Sequence, residues 1–275
     1  MELLHLAIEA AIQAGEAILK VYDTDFSVEH KSDRSPLTLA DRESHRILVD
    51  RLETTGLPIL SEEGRHLPYE ERKAWNTFWL LDPLDGTKEF VKRNGEFTVN
   101  IALVADGKPV MGVIYVPVVD DLYFGTIESG AYKVTAAAAK FLPPHLGAGT
   151  TSLQMLEVFS SAKRLPSPSS APKRFTVVGS RSHSTPEVEK IVGELKLKHG
   201  DVELISAGSS LKICMVAEGR AQLYPRTGPT MEWDTAAGQA IAEAAGAEMV
   251  VFDTGEPMRY NKENMLNPWF VVKSG

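Results

Sequence analysis

A single cysteine, Cys214, stands in 275 residues. An intrachain disulfide and a thiolate zinc cluster are thereby excluded, and a reducing compartment fits. Any metal centre must use oxygen or nitrogen ligands. Long apolar runs are missing as well. The longest, from Val99 to Val119, is broken by Asp106, Gly107 and Lys108, short of the roughly 18 to 20 uncharged residues a membrane helix requires. The opening MELLHLAIEA has no basic stretch ahead of its apolar residues and carries Glu2 and Glu9, so it does not read as a secretory signal and a cytoplasmic location is expected. Positive charge is in deficit, 29 Lys and Arg against 37 Asp and Glu. That balance argues against a nucleic-acid polymer as partner. A small polyanionic substrate stays open, provided placed cations or a bound metal receive it. Internal repeats are absent, and nothing in the pattern specifies an oligomeric state. With 43% hydrophobic and 24% charged residues, the chain lies far from the composition of disordered proteins.

Apolar spacing predicts a first helix over 2–22, with Leu4, Ile8, Ala11, Ile12, Gly15, Ile18, Leu19 and Tyr22 on one face. Pro36 ends any preceding helix. Thr38 with Asp41 three residues on resembles a capping box for a helix running through Arg51. Strands are expected at 58–60 and 78–81. The runs 97–105 and 109–116 flank Asp106-Gly107, a type I′ turn signal, and read as a hairpin. Strands at 122–127 and 130–134 continue that antiparallel sheet, an α+β half. From 135 to 173 the composition shifts to Ala, Pro, Ser and Gly around one possible strand at 155–159. The expected boundary falls there, giving an N-terminal domain of 1–150 and a C-terminal α/β domain of 151–275. The latter alternates strands at 175–179, 202–205, 222–224 and 249–252 with helices at 186–195, 209–218 and 235–245.

Chemistry concentrates in WLLDPLDGTKEF, residues 79–90. An apolar strand would deliver Asp82 and Asp85 together at a turn, with Pro83 fixing φ and Gly86 allowing close backbone approach. A second short apolar strand, ILSEEG, ends in Glu62 and Glu63, and Trp233-Asp234-Thr235 opens an Ala-rich helix. Gathered carboxylates repel one another and need a cation. Oxygen donors of this kind select a hard ion such as Mg²⁺, and phosphoryl transfer is the usual use of such a cluster. Singly, each motif has an ordinary reading: DPLDG as a turn, SEE as a solvated loop, Asp234 and Thr38 with Asp41 as helix caps.

In this order the motifs resemble those of the Mg²⁺-dependent, lithium-sensitive phosphomonoesterase superfamily that contains the inositol monophosphatases. Within it, DGTKEF followed by RNGEFTVNIAL, with GSRSHS (179–184), AGSSLK (207–212) and YPRTGPTMEWDTAAG (224–238), is similar to the 3′(2′),5′-bisphosphate nucleotidases of bacterial sulfate assimilation. The resemblance implies a two-domain αβαβα sandwich. It also implies hydrolysis of adenosine 3′,5′-bisphosphate to AMP and phosphate by metal-activated water, with 3′-phosphoadenylyl sulfate as a further substrate. Inositol monophosphate or fructose 1,6-bisphosphate is the alternative substrate, and a catalytically silent nucleotide- or metal-binding module the remote one. Two or three Mg²⁺ ions are implied, with Glu62, Asp82, Asp85, Asp234 and the Leu84 carbonyl as ligands. Thr87, Asp41 and Glu62 are the implied catalytic residues, Thr87 bonding the attacking water and Asp41 accepting from its hydroxyl. Gly86, Thr87 and Lys88 would bind the scissile phosphate at a helix start. Ser180, His183 and Lys212 match nucleotide contacts, and Arg226 is the candidate for the second phosphate. On the plainer reading, Ser209 and Ser210 cap the next helix, Lys212 lies on a solvated face, and Cys214, Trp79 and Trp233 are packing residues.

Overall fold

In the computed structural model, residues 2–24, 28–30, 36–137, 162–180 and 185–275 are described. The elements in chain order are α1 (Glu2–Tyr22), β1 (Val28–His30), β2 (Pro36–Thr38), α2 (Leu39–Leu52), β3 (Ile59–Ser61), α3 (Tyr69–Arg72), β4 (Thr77–Asp85), α4 (Thr87–Val91), β5 (Thr98–Ala105), β6 (Lys108–Val116), β7 (Asp121–Thr126), β8 (Gly130–Thr135) and β9 (Lys163–Leu165). They continue as β10 (Phe175–Gly179), α5 (Pro186–His199), β11 (Val202–Ser206), α6 (Leu211–Ala217), β12 (Leu223–Arg226), α7 (Glu232–Ala244), β13 (Glu248–Val251) and β14 (Phe270–Lys273).

Strands β3 to β9 form one seven-stranded sheet in sequence order, parallel only between β3 and β4. Its central strands are apolar throughout because both faces are covered. Trp79, Leu81, Val99, Ile101, Val113 and Tyr115 pack with Ile8, Ile12 and Ile18 of α1 and Leu48 of α2. Phe78, Leu80, Ala102, Val104 and Ile114 face the other way, onto Ala236, Ala237 and Ile241 of α7. Glycines set the approach on both faces. A Cβ at Gly15 would overlap the Tyr115 ring, and one at Gly112 would overlap the Ala237 carbonyl oxygen. The turn between β5 and β6 has positive φ at both Asp106 and Gly107, as the type I′ signal requires.

The second sheet has five strands in the order β11-β10-β12-β14-β13, with β14 antiparallel to both neighbours. Helices α6 and α7 lie between the sheets, in a core that also contains Val178, Tyr224, Phe270 and Val272. Helix α5 covers the outer face, where Val188 and Val192 oppose Val177. The layers are αβαβα, the architecture the resemblance implies. Among the described residues no helix is long and apolar enough to cross a membrane.

The expected boundary at 150 and the strand expected at 155–159 lie outside the described residues. The first sheet takes in Lys163–Leu165 beyond them. Strands β1, β2, β9 and β14 had no sequence expectation; each is three or four residues long.

Candidate active site

The parallel pairing of β3 with β4 sets Ser61 beside Leu81. Glu62 and Asp82 therefore leave adjacent strand ends, and the Glu62 amide donates to the Leu81 carbonyl at 3.2 Å. Pairing of β4 with β5 then shifts between Asp82 and Asp85, a bulge that re-aims the strand end. The Leu84 amide donates to Asp82 Oδ1 at 3.1 Å, while the Leu84 side chain is buried with Phe90 and Phe97. The side chain is thus turned into the core while the Leu84 carbonyl stays with the turn. The Thr87 hydroxyl donates to that carbonyl at 3.4 Å, where the resemblance has it donating to Asp41. Ser44 Oγ holds the turn to α2 through the Pro83 carbonyl at 2.6 Å, and Asp41 on the same helix is buried at 1% exposure. Gly86, with φ of +93°, starts α4 as expected.

Asp234 arrives from the other half. Helix α7 begins at Glu232, three residues ahead of the expected start, so Asp234 lies inside the first turn and its Oδ2 accepts from the Met231 amide at 2.8 Å. Carboxylate oxygens of Glu62, Asp82 and Asp234 lie within 4.8 Å of one another. Two oxygens on one hard ion, each at 2.0 to 2.6 Å, are separated by no more than about 4 to 5 Å, so the spacing suits a shared ion. Burial, followed by the charges of Glu62, Asp85, Asp234 and Asp41, holds the Asp82 carboxyl well above the usual range. Asp234 is pushed the same way by burial and Asp85, against the bond from Met231. Asp82 Oδ2 is buried with no hydrogen-bond donor against it. An all-oxygen donor set, mutual repulsion and an unmet buried oxygen together fit a divalent metal ion.

Asp85 is held differently. Its Oδ2 accepts from the Ser210 amide at 2.7 Å and the Ser210 hydroxyl at 2.9 Å. Ser209 Oγ donates to the Asp85 carbonyl at 2.9 Å and the Glu96 carbonyl at 2.7 Å. The reading of these serines as helix caps is corrected for their side chains: Ser210 holds the N-cap position of α6 but makes no side-chain cap, its hydroxyl bonding Asp85 and the Asp234 carbonyl instead. Asn100 Nδ2 donates to Ser210 Oγ at 3.0 Å and is itself bonded by Thr98. Sequence reasoning missed this brace. Its signal was two polar residues, two apart, in the apolar strand TVNIALVA.

A cavity of about 460 Å³ opens beside these groups, lined in part by Asp85, Lys88, Ser180, Lys212, Arg226 and Asp234. It shares Ser180, Tyr224 and Arg226 with a larger one of about 850 Å³ between α5 and the second sheet. Lys212 is 6% exposed, so it does not lie on a solvated face. Its Nζ donates to the Ser209 carbonyl at 2.7 Å and the Ala207 carbonyl at 3.3 Å, and burial pulls its pKa down to about 8. Arg226 Nη2 donates to the Pro229 carbonyl at 3.0 Å. His183 lies outside the described residues. Cys214 and Trp79 are core residues, and Trp233 packs against the core.

The profile of the inositol monophosphatase family matches residues 1–270. The chain is 43% identical over 269 residues to the 3′(2′),5′-bisphosphate nucleotidase CysQ of Escherichia coli strain K12, covering 96% of each chain. To that of Haemophilus influenzae it is 34% identical over 284 residues, covering 98% of this chain and 92% of the other. CysQ from Bacteroides thetaiotaomicron, a bacterial member of the inositol monophosphatase family, is similar in structure, with a TM-score of 0.85 at 52% identity over 98% of this chain and 96% of that one. Inositol monophosphatase II from Staphylococcus aureus, with a TM-score of 0.69 at 22% identity over 100% of this chain and 89% of that one, shares the fold.

Proposed function

Because the chain belongs to the inositol monophosphatase family, we propose that it is a 3′(2′),5′-bisphosphate nucleotidase, hydrolysing adenosine 3′,5′-bisphosphate to AMP and phosphate. The observation that carries the reading is the meeting of Glu62 and Asp82 from one half with Asp234 from the other, carboxylate oxygens within 4.8 Å. The nucleotide, rather than a sugar phosphate, is supported by 43% identity over nearly the whole length to nucleotidases of that name. The pair of adjoining cavities agrees, since it offers room beyond a single phosphate.

Glu62, Asp82, Asp85, Asp234 and the Leu84 carbonyl would hold two or three Mg²⁺ ions. Such ions, when bound, supply neutralisation of phosphoryl oxygens and a lowered water pKa. The chain's own groups do the rest. The amides of Gly86, Thr87 and Lys88 lack intrahelical acceptors at the start of α4 and bind the scissile 3′-phosphate. With its hydroxyl turned from the Leu84 carbonyl to Asp41, Thr87 Oγ1 would accept a hydrogen bond from the attacking water, taking that proton as it gives its own to Asp41. As the water oxygen bonds to phosphorus, the bond from phosphorus to O3′ breaks and the ribose oxygen takes up a proton from a solvent water. Arg226 and Lys212 receive the 5′-phosphate, with Ser180 and His183 beside the nucleoside. Lithium would inhibit by competing for an ion site, and the lone buried cysteine suits a cytoplasmic enzyme.

A phosphate-release panel tests this. Adenosine 3′,5′-bisphosphate, 3′-phosphoadenylyl sulfate, inositol monophosphate and fructose 1,6-bisphosphate are compared with and without Mg²⁺. The highest kcat/KM is expected for the adenosine bisphosphate, with AMP as product. Equal turnover of inositol monophosphate would remove the nucleotide assignment, and no Mg²⁺-dependent release from any compound would remove the phosphatase.

A further inference from the structure

Two residues before Asp234 lies a second acid that the reaction does not use. Glu232 is 0% exposed. Its Oε2 accepts from the Asn261 amide at 2.7 Å, and its Oε1 from the Lys262 amide at 2.9 Å and Lys262 Nζ at 2.6 Å. Asn261 sits at φ of +64°, a left-handed turn that aims two successive amides at one carboxylate. The segment joining β13 to β14 thus crosses the first turn of α7. It is fastened again where Asn267 Nδ2 donates to the Met231 carbonyl at 2.7 Å and to Thr235 Oγ1 at 3.0 Å.

The other side of this strap is tied to the first half. Arg72, 1% exposed, donates through Nη1 to Asn261 Oδ1 at 2.8 Å and through Nη2 to the Glu263 carbonyl at 3.0 Å. Asn261 Nδ2 returns a bond to the Arg72 carbonyl at 2.8 Å. Arg72 ends α3, in the connection that leaves β3 at Glu62 and enters β4 at Thr77, the strand that carries Asp82 five residues further on. A continuous chain of hydrogen bonds therefore runs from that connection through Asn261 to Glu232, and α7 carries it one half-turn further to Asp234.

Burying a carboxylate is costly unless its lone pairs are met, and a buried ion pair replaced on both sides by well-packed apolar groups is often no less stable. What the charged group adds here is register between two elements that share an ion. We infer that Glu232 is a positioning residue: with Asn261 and Arg72 it sets the place of Asp234 relative to Glu62 and Asp82. This rests on Asp234 being an ion ligand, as proposed above.

The test reads ion binding to the full-length, metal-free protein by calorimetric titration with Mg²⁺, so no substrate enters. Glu232→Gln removes the charge. Asn261→Gly keeps the left-handed backbone and the donor amide but cuts the tie to Arg72. Ile8→Val, in the core of α1, serves as a mildly destabilised control. Both strap variants should weaken Mg²⁺ binding about tenfold or more, with circular dichroism spectra of the wild type, while the control binds as the wild type does. Wild-type affinity in Asn261→Gly, or an equal weakening in Ile8→Val, overturns the inference. Should Glu232→Gln fail to fold, Asn261→Gly decides alone. Lack of Mg²⁺ binding by the wild type would sink the site reading and this inference with it, whereas tight binding by every variant sinks only this inference.

Discussion

The seven-stranded half delivers its acidic groups by chain proximity, with Glu62, Asp82 and Asp85 leaving two neighbouring strand ends. The five-stranded half delivers Asp234, Lys212 and Arg226 from a helix start, a buried helix and a strand end; each side chain is bonded within three residues of itself, but the turn of α7 that carries Asp234 is fastened by Asn261, Lys262 and Asn267 from the segment joining β13 to β14. In the first half the turn itself makes the site. In the second, tertiary hydrogen bonds do, and a variant there can fail in placement while every ligand remains.

That contrast can be broken most severely at a proposed ligand of the first half. Asp85→Asn is expected to lower Mg²⁺-dependent phosphate release by about a hundredfold or more, since altering groups merely bonded to ligands already costs 10 to 100-fold. Its circular dichroism spectrum should remain that of the wild type. Wild-type turnover would remove Asp85 from the site. A packing change comes next. Gly112→Ala places a methyl against the Ala237 carbonyl and should destabilise by about 1 to 3 kcal/mol in a denaturant titration. Gly179→Ala, with nothing near its added Cβ, should stay close to the wild type. Equal midpoints for the two would show that α7 is free to move off the sheet.

Ser210→Ala tests the bridge between halves. Losing the hydroxyl from Asp85 Oδ2 should raise the Mg²⁺ concentration for half-maximal activity about tenfold and leave the melting temperature little changed. The smallest effect is a pH dependence. Burial holds Lys212 near 8, below the ordinary lysine value of about 10.4. Its neutral form is favoured by the fold, so this group adds stability as pH rises from about 8 toward that value. Its charge is lost over the same range, so the KM for the adenosine bisphosphate should climb severalfold between about pH 7.5 and 9.5. Lys212→Arg, which keeps its charge, should flatten that rise. An unchanged slope would release Lys212 from phosphate binding.

Legibility follows the same divide. The central strands β4 to β8, the Asp106-Gly107 hairpin and the DPLDGT turn were readable because each is set by residues within a few positions of one another: alternation, positive φ and apolar runs covered on both faces. The family resemblance supplied Asp234, which spacing alone could not connect to Asp82. The Ser210 brace, the Arg72 tie and the Glu232 carboxylate were not readable. Each is a polar residue whose meaning depends on a partner from another element, and serine before a helix or glutamate in its first turn is what ordinary capping also produces. Lys212 was open for the same reason, since a lysine beside IleCysMet is equally consistent with a buried or a solvated helix face until the neighbouring loop is placed.

Helix α7 is at once the middle of the shared core and the bearer of Asp234. A polypeptide so arranged has no way to let its two sheets breathe apart without dismantling the place where phosphate is cleaved. Local openings in which an enzyme stays competent are drawn from weakly packed segments, and this one is packed on both sides. Loss of turnover and loss of the compact state should therefore share one midpoint in urea, making the reaction itself a gauge of whether the molecule is whole.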